Sequence, residues 1–294
     1  MKTHDKLIRM QHPALIGLAG ICFVATSALG QEEPAQAPEI GKTPGLPLWE
    51  VGLFGAGYTQ PAYPGAADRT GQALILPYVI YRGKYLRADR GVVGFRALKT
   101  PRTEMDIGFA ASLGSRSADI PARKGMADLG TMIEFGPRLK IKLGDVSARG
   151  SETRLQFPLR KVIDVSNGFR SRGITFEPQW VNDKRLSSRW SISTTLGALI
   201  GDYQLADTFY GIDPGEATPN RPGYTAKAGL IALRAGLFAS QSLNSDVRAF
   251  YFMRIDSLAG AANRDSPLVR RENGWSAGIG LAWGLARSEK NAID

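Results

Sequence analysis

The stretch NGWSAGIGLAWGL, residues 273–285, alternates between two kinds of residue. A period of two is typical of a β-strand, because successive side chains of a strand point to opposite faces. Glycine weakens strands, so a strand in a soluble core seldom gives one whole face to it. The pattern therefore predicts a strand with two different surroundings. The apolar face comprises Trp275, Ala277, Ile279, Leu281, Trp283 and Leu285, and the other comprises Ser276, Gly278, Gly280, Ala282 and Gly284.

The same period recurs upstream, for example in TEMDIGFAASL (103–113), SETRLQFPLRKV (151–162) and DVRAFYFMRID (246–256). Either a soluble β-sandwich or an outer-membrane barrel produces such alternation; the barrel turns its apolar face to lipid and its polar face to the lumen. Long segments and polar faces of mixed charge favour an all-β, transmembrane antiparallel β-barrel. Aromatic residues near segment ends are predicted to form its interface girdles: Trp49, Tyr58, Trp190, Tyr203, Trp275 and Trp283.

Strand parity constrains the number of strands, because bacterial single-chain barrels have an even number. Eleven segments alternate, near 48–60, 71–83, 84–98, 103–115, 128–144, 149–163, 168–182, 187–203, 223–240, 245–258 and 273–286. Twelve strands are expected if one partner is hidden, and ten if the first segment is not a barrel strand. No segment is predicted to be helical. The longest connections (116–127, 204–222 and 259–272) share one parity and are expected to be external.

The N-terminus has the anatomy of a secretory signal peptide over residues 1–30. Three basic residues precede a mostly apolar run, and small residues precede the predicted cleavage between Gly30 and Gln31. The alternative, a membrane anchor, needs an apolar run of roughly 20 residues. Residues 31–47 are predicted to be a disordered periplasmic lead, 48–287 the barrel and 288–294 a C-terminal tail in a protein of the cell outer membrane.

Removal of residues 1–30 leaves a formal charge of (37 − 3) − (27 − 1) = +8 and neither cysteine nor histidine. Disulfides, Cys–His zinc sites and Ser-His-Asp triads are therefore excluded from the mature chain. We expect no enzyme activity and no catalytic, cofactor-binding or metal-binding residues. Because the basic residues are scattered in an exported chain, outer-membrane lipid or the anionic cell wall is the expected partner, and nucleic acid is not.

Charged residues on the predicted polar faces are candidates for the lumen. They could form a charged filter for a small solute, or oppositely charged side chains could neutralise one another. A third interpretation takes a carboxylate pair for acid–base chemistry from Glu104, Asp106 and Asp89. The candidate lumen-facing charges are Glu104, Asp106, Glu134, Arg138, Arg154, Arg160, Arg248 and Arg254.

Loops 204–222 and 259–272 are the best candidates for functional loops, because loops on a rigid scaffold commonly carry binding. Within the second loop, Asp265, Ser266 and Pro267 could form part of a binding loop or a plug in the barrel mouth. The sequence leaves both alternatives open.

Four phrases resemble the MipA/OmpV family of Gram-negative outer-membrane proteins. They are WEVGLFGAGYTQPAYPGA (49–66), LPYVIYRGKYLRADRGVVG (76–94), GMADLGTMIEFGPRL (125–139) and NRDSPLV (263–269), in order along nearly the whole mature chain. The chain departs from many barrels in lacking a terminal aromatic residue, since it continues beyond Leu285 as ARSEKNAID.

The resemblance implies an outer-membrane β-barrel without a catalytic motif. It also implies a scaffold role in peptidoglycan synthesis, in which the barrel links a membrane-bound lytic transglycosylase to a bifunctional penicillin-binding protein. The alternative is a small-solute outer-membrane channel or a surface antigen without a scaffold role.

Overall fold

A computed structural model describes residues 47–82, 87–89, 92–94, 98–144 and 150–290. The predicted signal peptide with its cleavage site, the lead up to residue 46 and the tail from residue 291 lie outside the described residues. One antiparallel sheet dominates the fold. Its strands are β1 (Trp49–Pro61), β2 (Arg69–Arg82), β3 (Arg87–Asp89), β4 (Val92–Gly94), β5 (Leu98–Lys99), β6 (Thr103–Ser112), β7 (Met132–Lys142), β8 (Ser151–Asp164), β9 (Arg170–Phe176), β10 (Gln179–Arg185), β11 (Trp190–Gly201), β12 (Gly229–Ser242), β13 (Val247–Ser257) and β14 (Asn273–Arg287).

The sheet closes into a barrel. Its hydrogen-bonded order is β4-β3-β2-β1-β14-β13-β12-β11-β10-β8-β7-β6-β5, and β9 shares the position of β10 between β8 and β11. The two ends of this path, β4 and β5, follow one another in the chain, and β4 also lies beside β6. Among the described strands, counting β4 with β5 and β9 with β10 reduces fourteen to 14 − 2 = 12 positions.

The strand that is missing from the eleven predicted segments lies inside segment 84–98. The chain reverses between β3 and β4, where Asp89 pairs with Val92 and Arg87 with Gly94. One predicted strand is therefore two, which restores even parity and retains the first segment, β1, as a barrel strand between β2 and β14. The reversal is missed from sequence because arms of three residues are too short to display a period of their own.

The side-chain faces are inverted relative to a soluble protein. Large apolar side chains are between 36% and 77% exposed on the outer face, as a lipid-facing surface requires, while charged side chains are buried within. The outer face includes Leu53, Ile75, Ile107, Phe135, Leu159, Leu196, Leu237, Met253, Ile279 and Trp283. The prediction that Tyr58 belongs to the aromatic girdle is wrong. Tyr58 is 6% exposed and packs inside the barrel against Phe238 and Phe252.

The expectation of no helix is wrong at one place. Helix α1, Tyr203–Tyr210, follows β11, and Asp202 caps it by accepting a hydrogen bond from the Leu205 amide at 3.0 Å. Three 3₁₀ turns, 117–119, 121–123 and 214–216, lie in the same long connections. A helix of eight residues gives too few turns for its period to stand out in the sequence. No helix in the described part of the chain is long and apolar enough to cross a membrane.

The connections differ between the two ends of the barrel. Residues 62–68, 113–131, 165–169, 202–228 and 258–272 lie at one end, which we call the capped end. The shorter turns, including 100–102, 186–189 and 243–246, lie at the opposite end, together with the first and last described residues. There the Leu48 amide donates to the Lys290 carbonyl at 2.8 Å. The three longest predicted connections therefore do share one end.

Candidate functional site

The barrel interior holds most of the charged residues singled out in the sequence. Six are between 3% and 7% exposed: Asp106, Glu134, Arg138, Arg154, Arg160 and Arg254. Glu104 lies nearer the rim, with 23% of its side chain exposed. Arg248 has the same inward parity as Arg254, but it lies near the start of β13, at the end of the barrel opposite the capped end, and is exposed. Asp89 lies in β3.

One group of these charges is centred on Asp106. The Arg138 guanidinium donates to both carboxylate oxygens, from Nε at 2.9 Å and from Nη2 at 2.8 Å. Lys140 lies 3.0 Å from the same carboxylate and 3.8 Å from Glu104. A bidentate arginine and an ammonium group together stabilise a carboxylate as an anion. Asp106 is therefore the shared counter-ion of Arg138 and Lys140.

A second group is centred on Glu177, which is 1% exposed. Arg160 reaches Glu177 with Nη2 and Glu134 with Nε, the latter at 3.1 Å. Arg234 binds the other oxygen of Glu177 and also lies 3.2 Å from Asp256. Alternating acids and bases thus cross the lumen from β7 to β13, and each ion is compensated by a neighbour of opposite sign.

The sequence analysis missed Glu177, although a local signal was present. Glu177 and Pro178 interrupt the predicted segment 168–182 and separate β9 from β10. Proline cannot donate to a strand ladder and marks bulges or breaks. At this break the Pro178 carbonyl accepts a hydrogen bond from the Ala198 amide, and the Glu177 amide donates to the Pro158 carbonyl. This local departure from the ladder positions the Glu177 carboxylate in the lumen.

The buried charges carry no dominant sign. Among the described residues, seven acidic and seven basic residues are buried, and two of the basic ones, Arg123 and Arg221, lie at the capped end. A selective ion pathway is expected to display a ring of one sign. The paired arrangement instead uses the charges to fill and cross-link the barrel.

The remaining lumen beside β1 is filled by aromatic rings. Phe54 and Phe250 are in edge contact at 6.0 Å between centroids, and Phe238 lies 5.9 Å from Phe250. The glycine face of residues 273–285 borders these rings. A Cβ atom at Gly278 would lie 2.5 Å from the Phe252 ring, and one at Gly280 would lie 2.9 Å from Phe54. The glycines therefore make room for rings from neighbouring strands.

The long connections fold together at the capped end around a buried apolar cluster that includes Leu205, Ile231, Leu258 and Leu268. Two buried arginines fasten the connections to one another. Arg123 donates to the Phe209 carbonyl at 3.2 Å, and Arg221 donates to the Ala122 carbonyl at 3.1 Å. Burial lowers the pKa of Arg123. Backbone carbonyl oxygens accept hydrogen bonds from its guanidinium. We call this assembly the cap.

The predicted loop at residues 265–267 is part of the cap. Ser266 is 3% exposed, and its hydroxyl donates to the Tyr210 carbonyl at 2.9 Å. Asp265 points away, with 89% of its side chain exposed. Pro267 is half-buried and precedes the buried Leu268 in the chain. The three residues thus lie at the mouth of the barrel, and of these three Asp265 presents a charged group to solvent.

Two tyrosines connect the cap to the loop after β1. Tyr63 donates its hydroxyl hydrogen to the Leu268 carbonyl at 2.8 Å, and Tyr210 donates to the Pro64 carbonyl at 3.1 Å. Burial raises the pKa of Tyr63 to about 12, and burial also raises the pKa of Tyr210. Both hydroxyls are therefore neutral donors over the physiological range. Within the described residues, no group of three or more acidic, histidine or cysteine side chains is arranged to hold a metal ion.

Comparison with known proteins gives a match over most of the chain. The family described as MltA-interacting protein MipA matches residues 51–285. No curated protein gave a significant match. Similar solved structures include a FadL homologue from Pseudomonas aeruginosa, at 11% identity over 94% of this chain and 82% of that chain, with a TM-score of 0.36. Outer membrane phospholipase A from Escherichia coli is also similar, at 11% identity over 82% and 94% of the two chains, with a TM-score of 0.36.

Proposed function

Because this outer-membrane β-barrel belongs to the MltA-interacting protein MipA family, we propose that it is a non-enzymatic scaffold in peptidoglycan synthesis. It would bring a membrane-bound lytic transglycosylase together with a bifunctional penicillin-binding protein. The family match over residues 51–285 carries this proposal. The paired charges inside the barrel support it, because the acidic side chains at the centres of both groups, Asp106 and Glu177, are bound to basic ones.

The orientation of the barrel follows from its connections. In bacterial barrels the short turns face the periplasm and the longer loops face the exterior. We therefore place the cap outside the cell and the short turns in the periplasm, where the signal peptide predicted over residues 1–30 would deliver the chain. Cell-wall enzymes can reach only the periplasmic end.

The turn between β10 and β11 is the docking surface that we propose for these partners. Residues 184–189 (KRLSSR) are all exposed, and Leu186 is 53% exposed between Arg185 and Arg189. The turn is ordered by its own hydrogen bonds, since Ser187 Oγ accepts from the Trp190 amide at 3.1 Å. A rigid basic turn with an apolar centre fits an acidic patch on a periplasmic protein, and charge complementarity of this kind chiefly sets specificity and association rate.

Cross-linking in intact envelopes tests the proposal, with the lytic transglycosylase as bait. We expect wild-type barrel to be recovered and the double variant Arg185→Glu, Arg189→Glu to be recovered at least several-fold less. The matched control reverses two exposed charges of the cap, Arg116→Glu and Lys124→Glu, and should leave recovery unchanged. Failure to recover the wild-type barrel would count against the scaffold role, whereas equal recovery of both variants would count only against this turn.

A further inference from the structure

An arginine occupies the outer wall of the barrel at the capped end. Arg69 is the first residue of β2, and it shares the outward parity of the lipid-facing Ile75 and Val79. Trp275 lies on the outer face of β14 and is 47% exposed. Pro61 of β1 pairs with Arg69, so the arginine side chain extends across β1 to reach the tryptophan.

The Arg69 side chain is fixed in this position. Its Cζ atom lies 3.6 Å from the centroid of the Trp275 ring, within the range of a cation–π contact. Nη1 donates to the Trp275 carbonyl at 2.9 Å and Nη2 donates to Thr59 Oγ1 at 3.3 Å. A guanidinium has five N–H donors, so about three remain for a ligand. Two hydrogen bonds and the Trp275 ring therefore hold the Arg69 guanidinium in place, and its other N–H groups remain available to a ligand.

A second arginine lies in the loop that precedes β14. Arg271 is exposed, four positions before Trp275. The Arg271 amide donates to the Gly65 carbonyl at 3.0 Å, which ties the end of the loop to the connection after β1. No carboxylate lies within 4.0 Å of Arg69 or Arg271 in the described part of the chain. Two arginines at this end of the barrel, neither of them in an ion pair with a described residue, attract an anion.

The position of the pair identifies the kind of anion. Tryptophan is enriched at the level of the lipid headgroups, and Trp275 marks that level on this wall. Below it, towards the membrane centre, the outer face continues with Ala277 and Ile279. A charged group bound to Arg69 and Arg271 therefore lies at headgroup depth with apolar barrel wall beneath it. Arginine suits a phosphate there, because its planar fork binds phosphate oxygens in pairs.

We propose that Arg69, Arg271 and Trp275 form a binding site for the phosphate group of an outer-leaflet lipid. The choice of leaflet rests on the orientation given under the proposed function, but lipid binding itself requires no periplasmic partner. The bound lipid would attach this wall, where the first and last long strands of the barrel pair, to its surrounding membrane. Free phosphate has the same charge chemistry but lacks the acyl chains that would lie on the wall.

Native mass spectrometry of the full chain in an uncharged detergent tests the site. The probes are bisphosphorylated lipid A, the same lipid without phosphate, and inorganic phosphate. We expect wild-type protein to retain the phosphorylated lipid at least tenfold better than either of the other probes. The double variant Arg69→Gln, Arg271→Gln should lose this preference, and Arg69→Lys should lose part of it because an ammonium lacks the fork. The control Arg116→Gln, Arg264→Gln removes two exposed charges from the cap and should retain the preference.

Each outcome is decisive for the site. Equal retention by wild type and the Arg69→Gln, Arg271→Gln variant overturns it, as does equal retention of the lipid with and without phosphate. The leaflet is tested separately with Asp265→Cys, which introduces a single thiol into a mature chain that has no cysteine. Labelling by an impermeant maleimide on intact cells supports the outer leaflet, and labelling only after lysis overturns the proposal. Neither result depends on recovery of a cell-wall enzyme, so failure of the scaffold role is distinguishable.

Discussion

Individual glycines show how closely the interior is packed. At Gly278 an added Cβ would lie 2.5 Å from Phe252 and 2.9 Å from the Cβ of Tyr58. At Gly57, on the outward parity of β1, nothing lies within 4 Å. The same residue type therefore serves opposite purposes on neighbouring strands. Inside, it admits aromatic rings, and outside it leaves a depression in the lipid-facing wall.

This contrast gives a prediction for stability. Gly278→Ala should lower the free energy of unfolding by about 1–3 kcal/mol, because the added methyl group must displace a ring in a packed interior. Gly57→Ala should change it by less than about 1 kcal/mol, because space is available and alanine reduces the entropy of the unfolded chain. Urea unfolding in detergent, followed by tryptophan fluorescence, measures both. Equal losses would show that the interior yields freely to the methyl group.

At the scale of elements, the connections of the capped end form a folded unit rather than separate loops. The loop after β1, helix α1 and the loop after β13 meet around Tyr63 and Tyr210. Their contacts are long-range, with Tyr63 and Leu268 separated by 205 positions. The cap therefore depends on the barrel beneath it to hold its pieces together.

The cap is predicted to weaken at alkaline pH. The pKa of Tyr63 is raised from 10 to about 12, so the folded state favours the neutral phenol. The resulting stabilisation is fully present below pH 10 and is lost as the pH rises through 12. The free energy of unfolding falls by about 2–3 kcal/mol over this range. Tyr210 has the same sign. Absorbance at 295 nm should show tyrosinate formation above pH 11, and its amplitude should fall by the contribution of one tyrosine in Tyr63→Phe. An unchanged titration in the variant would contradict the assignment.

The elements also show what the sequence could reveal. Strands such as β6, β8 and β14 were predictable because lipid outside and packed polar or small residues inside impose a two-residue period on them. Helix α1 and the reversal between β3 and β4 were not, because each is too short to display a period. The partners of Glu177 could not be inferred, since Arg160 and Arg234 come from strands whose neighbours depend on closure of the barrel.

For the whole molecule, two sets of side chains occupy the described part of the lumen. The ion-pair groups around Asp106 and Glu177 cross one part of the interior, and aromatic rings occupy the wall beside β1. The cap covers one mouth with a buried apolar cluster. We expect these side chains to oppose the passage of a solute, because separating one partner of a buried pair costs about 3–5 kcal/mol.

Planar-bilayer recording is therefore expected to detect no steps of conductance above the lipid background. Insertion is verified independently by flotation of reconstituted vesicles, so that silence is not mistaken for absence of protein. A general porin handled in parallel provides the positive control. Regular, single-sized openings from the wild-type barrel would contradict a closed lumen and would favour the small-solute channel.

The pairing of β1 with β14 has a consequence for biogenesis. Tyr58 lies opposite Gly278, so the two strands of this seam are separated by more than two hundred positions along the chain. Loop-closure entropy delays contacts of such long range. The edge of β1 consequently stays open to solvent or to foreign strands until residues 273–287 have been synthesised and exported. The alternating glycine strand is thus the last piece needed to complete the cylinder, and premature termination before it would leave an unsealed, aggregation-prone sheet.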